Sequence, residues 1–297
     1  MLSIRALSKT YPNGVRALDG ISLEIERGLF GLLGPNGAGK SSLMRTIATL
    51  QSADSGTVEF DGIDVFADPT ALRRQLGYLP QEFGVYPRIG AAELLDHIAV
   101  LKGVSDAEVR REQIDALLHL TNLYAVRHRA VASYSGGMKQ RFGIAQALLG
   151  SPRLLIVDEP TAGLDPEERN RFHTLLSEIA EDRVVLLSTH IVEDVSNLCS
   201  RMAIVGNGRV LAEGTPADLI AELRGRIWSR GVSQSEVQRY RESARVISAQ
   251  MKRGETRVHI LAESQPDEGF EALTPDLEDV YFAVLAERTT QAERAAC

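Results

Sequence analysis

The sequence predicts an α/β fold built around a parallel β-sheet, and three observations support this prediction. Two continuous apolar runs, Leu154–Val157 and Val184–Leu187, are typical of strands that are covered on both faces. Further short β-like segments alternate with helical patterns along most of the chain. A glycine-rich loop also connects a β-like segment, Leu29–Leu33, to a helical segment, Ser42–Leu50.

The remaining β-like segments of this predicted core are short and are separated by turn residues. They are Leu2–Leu7, Ile21–Ile25, Thr57–Phe60, Gly77–Leu79, Met202–Val205 and Arg209–Ala212. The pair Asp61-Gly62 stands between Val58–Phe60 and Ile63–Val65, which predicts a hairpin with a type I′ turn.

A helical insert is predicted inside this core. From Ile89 to about Gly150 the β-like segments end and helical periodicity takes over. Ser105-Asp106-Ala107-Glu108 has the spacing of a capping box and predicts the start of one of these helices. We therefore expect a helical subdomain over about residues 89–150, within a core that spans residues 1–221.

The pattern changes again after the core. Three predicted strands and two predicted helices indicate a small α+β domain over residues 222–287, followed by a frayed tail over 288–297. The strands are Ile227–Gly231, Arg245–Met251 and Arg257–Leu261, and the helices are Ser235–Ser243 and Leu277–Glu287.

The overall composition is that of an ordinary globular protein. At 297 residues the chain is long enough for about two domains, with 44% hydrophobic and 25% charged residues. Its 33 basic and 40 acidic residues give a formal net charge of −7. This balance offers no electrostatic reason to bind nucleic acid or anionic lipid over the whole surface, although a local basic patch stays open. We expect no nucleic-acid partner.

Three features predict a cytoplasmic chain. The two cysteines, Cys199 and Cys297, cannot form a disulfide framework, which favours a reducing compartment. The start, Met1–Arg5, lacks the pattern of a secretory signal. The longest stretch without Asp, Glu, Lys or Arg is Gly28–Gly39, and a membrane-spanning helix needs about 20 mostly apolar residues.

The glycine-rich loop predicts a nucleoside triphosphate site. It reads Gly34-Pro35-Asn36-Gly37-Ala38-Gly39-Lys40-Ser41, followed by Ser42, and satisfies the pattern G-x-x-x-x-G-K-[ST]. Its glycines let backbone N–H groups surround a phosphate at the start of a helix. Lys40 would reach the β- and γ-phosphates, and the Ser41 hydroxyl would bind Mg²⁺. The alternative is a glycine-rich surface turn, but the strand before it and the helix after it favour the phosphate site.

Two acidic residues that follow a buried strand predict hydrolysis. The run Arg153–Glu159 would place Asp158 at the carboxyl edge of the sheet, where its carboxylate can hold Mg²⁺. Glu159 would face the attacking water as its general base. The competing interpretation is an acidic loop after a core strand, without a catalytic role.

A third motif identifies a family. Ser135-Gly136-Gly137 precedes a helical segment, Phe142–Leu149; Ser135 is a good N-cap, and the glycines leave the helix start open to an anion. Alone, this is an ordinary helix start. Its position before Arg153–Glu159, however, resembles the signature motif of ABC-transporter ATP-binding subunits. The resemblance covers about Met1–Leu219, with Tyr134 and Met138 in place of the usual Leu and Gln.

The resemblance implies a P-loop NTPase core of the ABC ATPase type, with ATP and Mg²⁺ as cofactors. Tyr11 matches the aromatic residue that stacks on adenine, and His190 matches the histidine that contacts the γ-phosphate. Gln81 matches the glutamine that contacts Mg²⁺ and water. Asp165 matches a residue at the interface with a second cassette. The alternatives are a strand-end tyrosine, an exposed loop glutamine and a plain helix start with Pro166 at its first position.

The other histidines and the cysteines predict no further site. The remaining histidines lack a comparable context and are interpreted as surface or packing residues; they are His97, His119, His128, His173 and His259. Neither cysteine has a Cys or His partner at zinc-ligand spacing.

The resemblance also implies an assembly. In this family each ATP lies between one subunit's phosphate loop and the other's signature motif, and the chain has one copy of each, so we expect a homodimer. A separate permease would hold the dimer at the cytoplasmic face of the cell membrane. The segments Thr274–Tyr281 and Ser135–Gln140 resemble exporter-type subunits, serving drugs, antibiotics, lipids or polysaccharides. An importer subunit, a ribosome- or DNA-associated ATPase and a non-hydrolysing regulator are the alternatives.

Overall fold

The computed structural model describes residues 1–81, 84, 87–252 and 254–296. The chain divides into two compact units, which are described separately. The first contains Met1–Ser200 and Val205–Val210, and the second contains Arg201–Ile204 and Leu211–Cys297. Compact units therefore divide the chain earlier than the expected boundary at residue 221.

The first unit alternates strands and helices in the predicted order. Its elements are β1 (Leu2–Thr10), β2 (Arg16–Ile25), β3 (Gly28–Leu33), α1 (Lys40–Ile47), β4 (Ser55–Phe60), β5 (Ile63–Asp64), α2 (Pro69–Gln75), β6 (Leu76–Leu79), α3 (Ala91–Leu101), α4 (Ala107–Leu120), α5 (Gly136–Leu148), β7 (Leu154–Asp158), α6 (Pro166–Ala180), β8 (Val184–Thr189) and α7 (Val192–Leu198). Strands β9 (Arg201–Gly206) and β10 (Arg209–Gly214) have residues in both units.

The predicted parallel sheet is confirmed. Strands β3, β8, β7 and β6 lie side by side in that order, and each adjacent pair is parallel. Every residue of β7 and β8 is buried, as expected for apolar strands that are covered on both faces. Because the strands are parallel, their carboxyl ends, and hence the loops that follow them, share one edge of the sheet.

A smaller antiparallel sheet, ordered β2-β1-β4-β5, completes the strands of the first unit. The predicted hairpin between β4 and β5 is confirmed, since Asp61 and Gly62 both have positive φ angles, 47° and 83°. Two consecutive positive φ angles are the mark of a type I′ turn.

Residues 89–150 contain helices α3, α4 and α5 and two short 3-10 turns, in agreement with the predicted helical insert. The prediction of a cap at Ser105 is wrong by one residue. The Asp106 carboxylate caps α4, because it accepts hydrogen bonds from the backbone N–H groups of Glu108 at 2.8 Å and Val109 at 3.0 Å.

Lys102, which follows α3, joins the helical insert to the sheet. Its ammonium donates hydrogen bonds to the carbonyls of Leu76, Ala147 and Leu149 at 3.4, 3.1 and 3.0 Å. Burial lowers the pKa of Lys102 from 10.5 to about 8, because the charged form loses water.

This lowered pKa makes stability depend on pH in a defined direction. Between about pH 8 and 10.5 the unfolded chain holds a proton at Lys102 that the folded chain has lost, so the free energy of unfolding rises with pH. From pH 7.5 to 9.5 we expect the parent to gain about 2 kcal/mol relative to Lys102→Met. Urea unfolding of both proteins measures the difference, and a constant difference would contradict the lowered pKa.

The second unit adds a four-stranded antiparallel sheet and three helices. Besides parts of β9 and β10, it contains α8 (Pro216–Ala221), β11 (Ile227–Val232), α9 (Gln234–Ser243), β12 (Val246–Lys252), β13 (Glu255–Leu261), β14 (Glu271–Ala272) and α10 (Leu277–Ala296). The sheet is ordered β12-β13-β11-β14, and a cluster that includes Val237, Tyr240 and Phe270 forms its core. Helix α10 continues past the expected end at Glu287, and Cys297 lies outside the described residues.

Among the described helices, none is both long enough and apolar enough to cross a lipid bilayer.

Candidate active site

The loop between β3 and α1 has the geometry of an anion cradle. Gly39 adopts φ 105°, a left-handed conformation that favours glycine, and a Cβ there would lie 2.3 Å from the carbonyl oxygen of Ala17. No side chain caps α1, whose first turn contains no acidic residue. The N–H groups at this helix start are therefore free to bind an anion, as Gly34–Ser41 predicts.

Lys40 begins α1 and points its ammonium back toward this loop. The side chain is only 4% exposed. Its Nζ donates hydrogen bonds to the carbonyls of Gly34 at 2.6 Å and Pro35 at 3.2 Å, and lies 3.4 Å from Oε1 of Glu159. The cation is thus held between the loop and the carboxylate that follows β7.

The carboxylate of Glu159 is where the four predicted catalytic residues meet. Its Oε2 lies 3.0 Å from Nδ1 of His190 and accepts a hydrogen bond from Nε2 of Gln81 at 3.4 Å. With Lys40 at Oε1, three side chains from three different loops or helix starts contact one carboxylate. The backbone at Glu159 has φ 48°, a conformation that only a few per cent of non-glycine residues adopt.

Asp158, the last residue of β7, provides an oxygen suited to a cation. The residue is 3% exposed, and its Oδ1 has no hydrogen-bond partner among the described residues. Together with burial, its negative charge raises the pKa of Tyr78. Asp158, Ser41 and Gln81 would supply the oxygen ligands that Mg²⁺ prefers, so the predicted metal residues fit this ion.

A cleft of about 460 Å³ connects these residues to Tyr11. It is lined by Asn36–Ser42, Gln81 and Glu159, together with Tyr11 and the adjacent segment 15–17. The Tyr11 hydroxyl lies 3.0 Å from Oγ of Ser42 and 3.1 Å from Oε1 of Gln51. These contacts orient the aromatic ring beside the phosphate loop.

The Tyr11 ring and its hydroxyl should contribute unequally to nucleotide binding. Tyr11→Ala is expected to raise the Kd for ATP about tenfold, because stacking of a base on an aromatic ring contributes about 1–3 kcal/mol. Tyr11→Phe keeps the ring and should change the Kd less than about twofold. Fluorescence titration with an ATP analogue measures both. Equal losses in the two variants would show that the hydroxyl contacts, and not stacking, carry the effect.

Comparison with known proteins shows the family of the chain. The sequence pattern of the ABC transporter family matches residues 18–162. The chain is also 37% identical to the daunorubicin/doxorubicin resistance ATP-binding protein of Streptomyces peucetius, over 82% of this chain and 74% of that protein. The chain belongs to the ABC transporter family. Its activity is therefore that of an ABC ATPase, which binds and hydrolyses ATP.

The chain is also similar to other ABC proteins, including several of known structure. The linearmycin resistance ATP-binding protein of Bacillus subtilis is 34% identical over 76% of this chain and 72% of its own length. A solved ATP-binding subunit of an ABC transporter is 32% identical and has a TM-score of 0.67, covering 75% of this chain and 92% of that structure. A dimeric bacterial ABC cassette bound to ADP and Pi is 27% identical and has a TM-score of 0.66, over 72% and 98%.

The signature motif of this ABC subunit lies apart from its own phosphate cleft. Ser135 caps α5 by accepting a hydrogen bond from the Met138 N–H at 3.2 Å, as predicted. Ser135 and Gly136 are exposed and do not line the cleft described above. Asp165 is exposed as well and caps α6, accepting from the Glu168 N–H at 2.9 Å.

Glycine at position 137 permits close packing behind the signature motif. A Cβ on Gly137 would lie 2.4 Å from a carboxylate oxygen of Glu168. That carboxylate pairs with the buried guanidinium of Arg141 at 2.7 Å. The start of α5, which includes the motif, is therefore held against the first turn of α6.

A buried polar network lies beside Glu159 and His190 and was not predicted from the sequence. Asp194 contacts the hydroxyls of Thr161 and Thr189 and Nε2 of His173. His173, interpreted as a surface or packing residue, is buried and lies 2.9 Å from the Asp194 carboxylate. The position of Thr189 and Asp194 on either side of His190 was the available signal. His259 likewise lies 2.7 Å from the Asp279 carboxylate, within the second unit.

Proposed function

We propose that this ABC ATPase powers the export of a small molecule, such as a drug, antibiotic or lipid, through a separate membrane permease. The observation that carries the catalytic part is the convergence of Lys40, Gln81 and His190 on the Glu159 carboxylate. The direction of transport is supported by relatives whose names state antibiotic resistance or Nod factor export. The proposed ATPase core spans residues 1–221, and residues 222–287 form an accessory domain.

Each residue around Glu159 has a distinct role in this proposal. The N–H groups of Gly34–Ser41 bind the phosphates, and the Lys40 ammonium balances their charge. Glu159 accepts the proton of the attacking water as general base. His190 contacts the γ-phosphate, and Gln81 orients the water. Because the contacts of Lys40, Gln81 and His190 all meet at the buried Glu159 carboxylate, hydrolysis requires all four residues to be in place.

Mg²⁺ belongs to the same proposal. Ser41, Gln81 and Asp158 would hold the ion, and the orphaned Oδ1 of Asp158 supports this assignment. When bound, Mg²⁺ neutralises negative charge on the phosphate oxygens. The chain's own contribution is the placement of these oxygen donors at one edge of the sheet.

A second copy of the chain is proposed to complete each site. Ser135 and Gly136 of the signature motif are exposed and do not line the chain's own cleft, and one solved relative is a dimeric cassette. In a head-to-tail homodimer the motif of one copy would cover the ATP of the other, with Asp165 at the interface. Closure would reach the permease through the region of Gln81 and Arg88; residues 82, 83, 85 and 86 of this region lie outside the described part.

A mixing experiment tests the composite site. Lys40→Met and Ser135→Asp are each expected to be inactive as homodimers, because each removes one half of both sites. After the two inactive proteins are mixed in equal amounts and allowed to exchange subunits, heterodimers contain one intact site. Hydrolysis should then return to about a quarter of the parental rate, since about half of the dimers have one of two sites restored.

The mixing experiment tests the dimer, and separate experiments test the permease and the direction of transport. If no activity returns while a tagged heterodimer is captured, the signature motif does not complete the partner's site. For the permease, the tagged chain should co-purify from membranes with a hydrophobic protein. Association with ribosomes or DNA instead would favour the soluble alternatives, and uptake of the cargo by sealed cells would favour an importer.

A further inference from the structure

We propose that Asp194 is a positioning residue that fixes the two loops bearing Glu159 and His190 relative to each other. The inference rests on the proposed catalytic roles of those two residues. Asp194 lies outside the phosphate loop and outside the family motifs described above, so none of these assigns it a part in hydrolysis. Asp194 lies in the first turn of α7, four residues after His190 in the chain.

The carboxylate of Asp194 is completely buried, at 0% exposure. A buried carboxylate needs hydrogen-bond donors to offset the loss of water. Its Oδ1 lies 2.9 Å from Nε2 of His173 and 4.0 Å from Nε of Arg169, both on α6. Its Oδ2 accepts hydrogen bonds from the hydroxyls of Thr161 and Thr189. One oxygen therefore faces the body of the protein, and the other faces the two catalytic loops.

Thr189 connects Asp194 to the backbone on both sides of His190. Its hydroxyl donates to Oδ2 of Asp194 at 3.1 Å and accepts from the Ile191 N–H at 2.9 Å. The backbone around His190 therefore forms a short turn, which is closed by the hydrogen bond from the Ile191 N–H to the Thr189 hydroxyl. His190 is consequently held where its Nδ1 meets Glu159 at 3.0 Å.

Thr161 makes the matching connection on the Glu159 side. It lies two residues after Glu159, is buried, and donates its hydroxyl to the same Oδ2. The Glu159 backbone needs such support, because its φ of 48° is unfavourable for a side chain with a Cβ. The Glu159 N–H also donates to the Ser188 carbonyl at 2.9 Å, so the two loops are joined at the backbone and again through Asp194.

A purely structural role is the competing explanation, and kinetics separates the two. If Asp194 only stabilises the core, weakening its hydrogen bonds lowers the Tm and leaves turnover by the folded protein unchanged. If Asp194 positions the loops, the same change lowers kcat, because small misplacements of reacting groups are costly. The KM for ATP should stay nearly constant, since the described contacts of Asp194 do not include residues of the phosphate loop.

The test uses the threonines, because replacing the fully buried Asp194 itself risks unfolding the protein. Thr161→Val and Thr189→Val each remove one hydroxyl while keeping side-chain volume. Thr161→Ser keeps the hydroxyl and serves as the rescue variant. Thr121→Val is the matched control, because Thr121 is equally buried and its hydroxyl donates to the Leu117 carbonyl at 2.8 Å, in the helical insert. Steady-state hydrolysis of Mg·ATP by the full chain and its Tm are measured for each.

We expect Thr161→Val and Thr189→Val to lower kcat at least about tenfold with KM changed less than about twofold. Thr121→Val should lower the Tm alone, and Thr161→Ser should restore most of kcat. Suppose that Glu159→Gln is inactive, as the proposed function requires. Parental kcat in both valine variants, or a change in KM with kcat unchanged, would then overturn the positioning role of Asp194. Parental turnover in Glu159→Gln would instead overturn the proposed function, and the inference with it.

Discussion

Glu159→Gln is expected to lose steady-state ATP hydrolysis by about 10²–10⁴-fold while still binding ATP. Glutamine has nearly the same shape as glutamate, but its amide cannot accept the proton of the attacking water. Nucleotide held by Gly34–Ser41 should therefore persist, and the ATP-bound dimer should accumulate. Steady-state kinetics measures the first effect, and size-exclusion chromatography with Mg·ATP measures the second.

A matched substitution controls for loss of a carboxylate. Glu181→Gln changes an exposed residue at the end of α6 in the same chemical way, and it should keep the parental rate. Equal ATPase rates in Glu159→Gln and the parent would contradict the assignment of Glu159 as base. A Glu159→Gln protein that is inactive but monomeric with ATP would support the base and contradict the ATP-closed dimer.

Lys40→Met should also cause a large loss of ATP hydrolysis, but unlike Glu159→Gln it should weaken ATP binding as well. Methionine preserves most of the side-chain length but has no charge, so the phosphates lose a cation that is 4% exposed in this structure. Loss of one preorganised, desolvated donor to a charged transition state costs about 10²–10³ in rate. Affinity for ATP should also fall, because the proposed contact of Lys40 with the phosphates exists in the ground state as well.

The two variants are therefore distinguished by binding. A titration with a fluorescent ATP analogue should show near-parental affinity for Glu159→Gln and weak affinity for Lys40→Met. Lys9→Met is the control, since the Lys9 ammonium pairs with Asp54 at 3.0 Å and does not line the cleft. Parental affinity in Lys40→Met would show that the loop backbone alone binds the phosphates.

The parts of the fold that depend on local pattern were predictable from sequence. Apolar runs identified β7 and β8, and the Asp61-Gly62 turn was recognised because its residues tolerate positive φ. Errors arose where two local solutions compete. Asp106 caps α4 in place of the neighbouring Ser105, because its own carboxylate reaches two N–H groups. Helix α10 continues beyond Glu287, where the polar sequence predicted a tail.

The candidate site shows the same division. The phosphate loop is contiguous in sequence, so Lys40 and Ser41 could be assigned from spacing. The convergence of Gln81 and His190 on Glu159 depends on the order of strands in the sheet. Resemblance to a family pointed to both residues as site residues but did not predict their contacts with Glu159. The positions of Thr189 and Asp194 around His190 were visible in the sequence, but the contact of Asp194 with Thr161 was not, because the two residues are distant in the chain.

The left-handed backbone at Glu159 implies a conflict between the stability of the folded protein and its rate of ATP hydrolysis. A glycine at this position would relieve about 1–2 kcal/mol of backbone strain, and an asparagine would relieve part of it. Neither residue could serve as the base. Selection for heat resistance alone should therefore enrich substitutions at residue 159 that raise the thermal stability of the protein and abolish its ATPase activity. On the proposed role of Glu159 as general base, the strained backbone at this position is a cost in stability that is offset by catalysis.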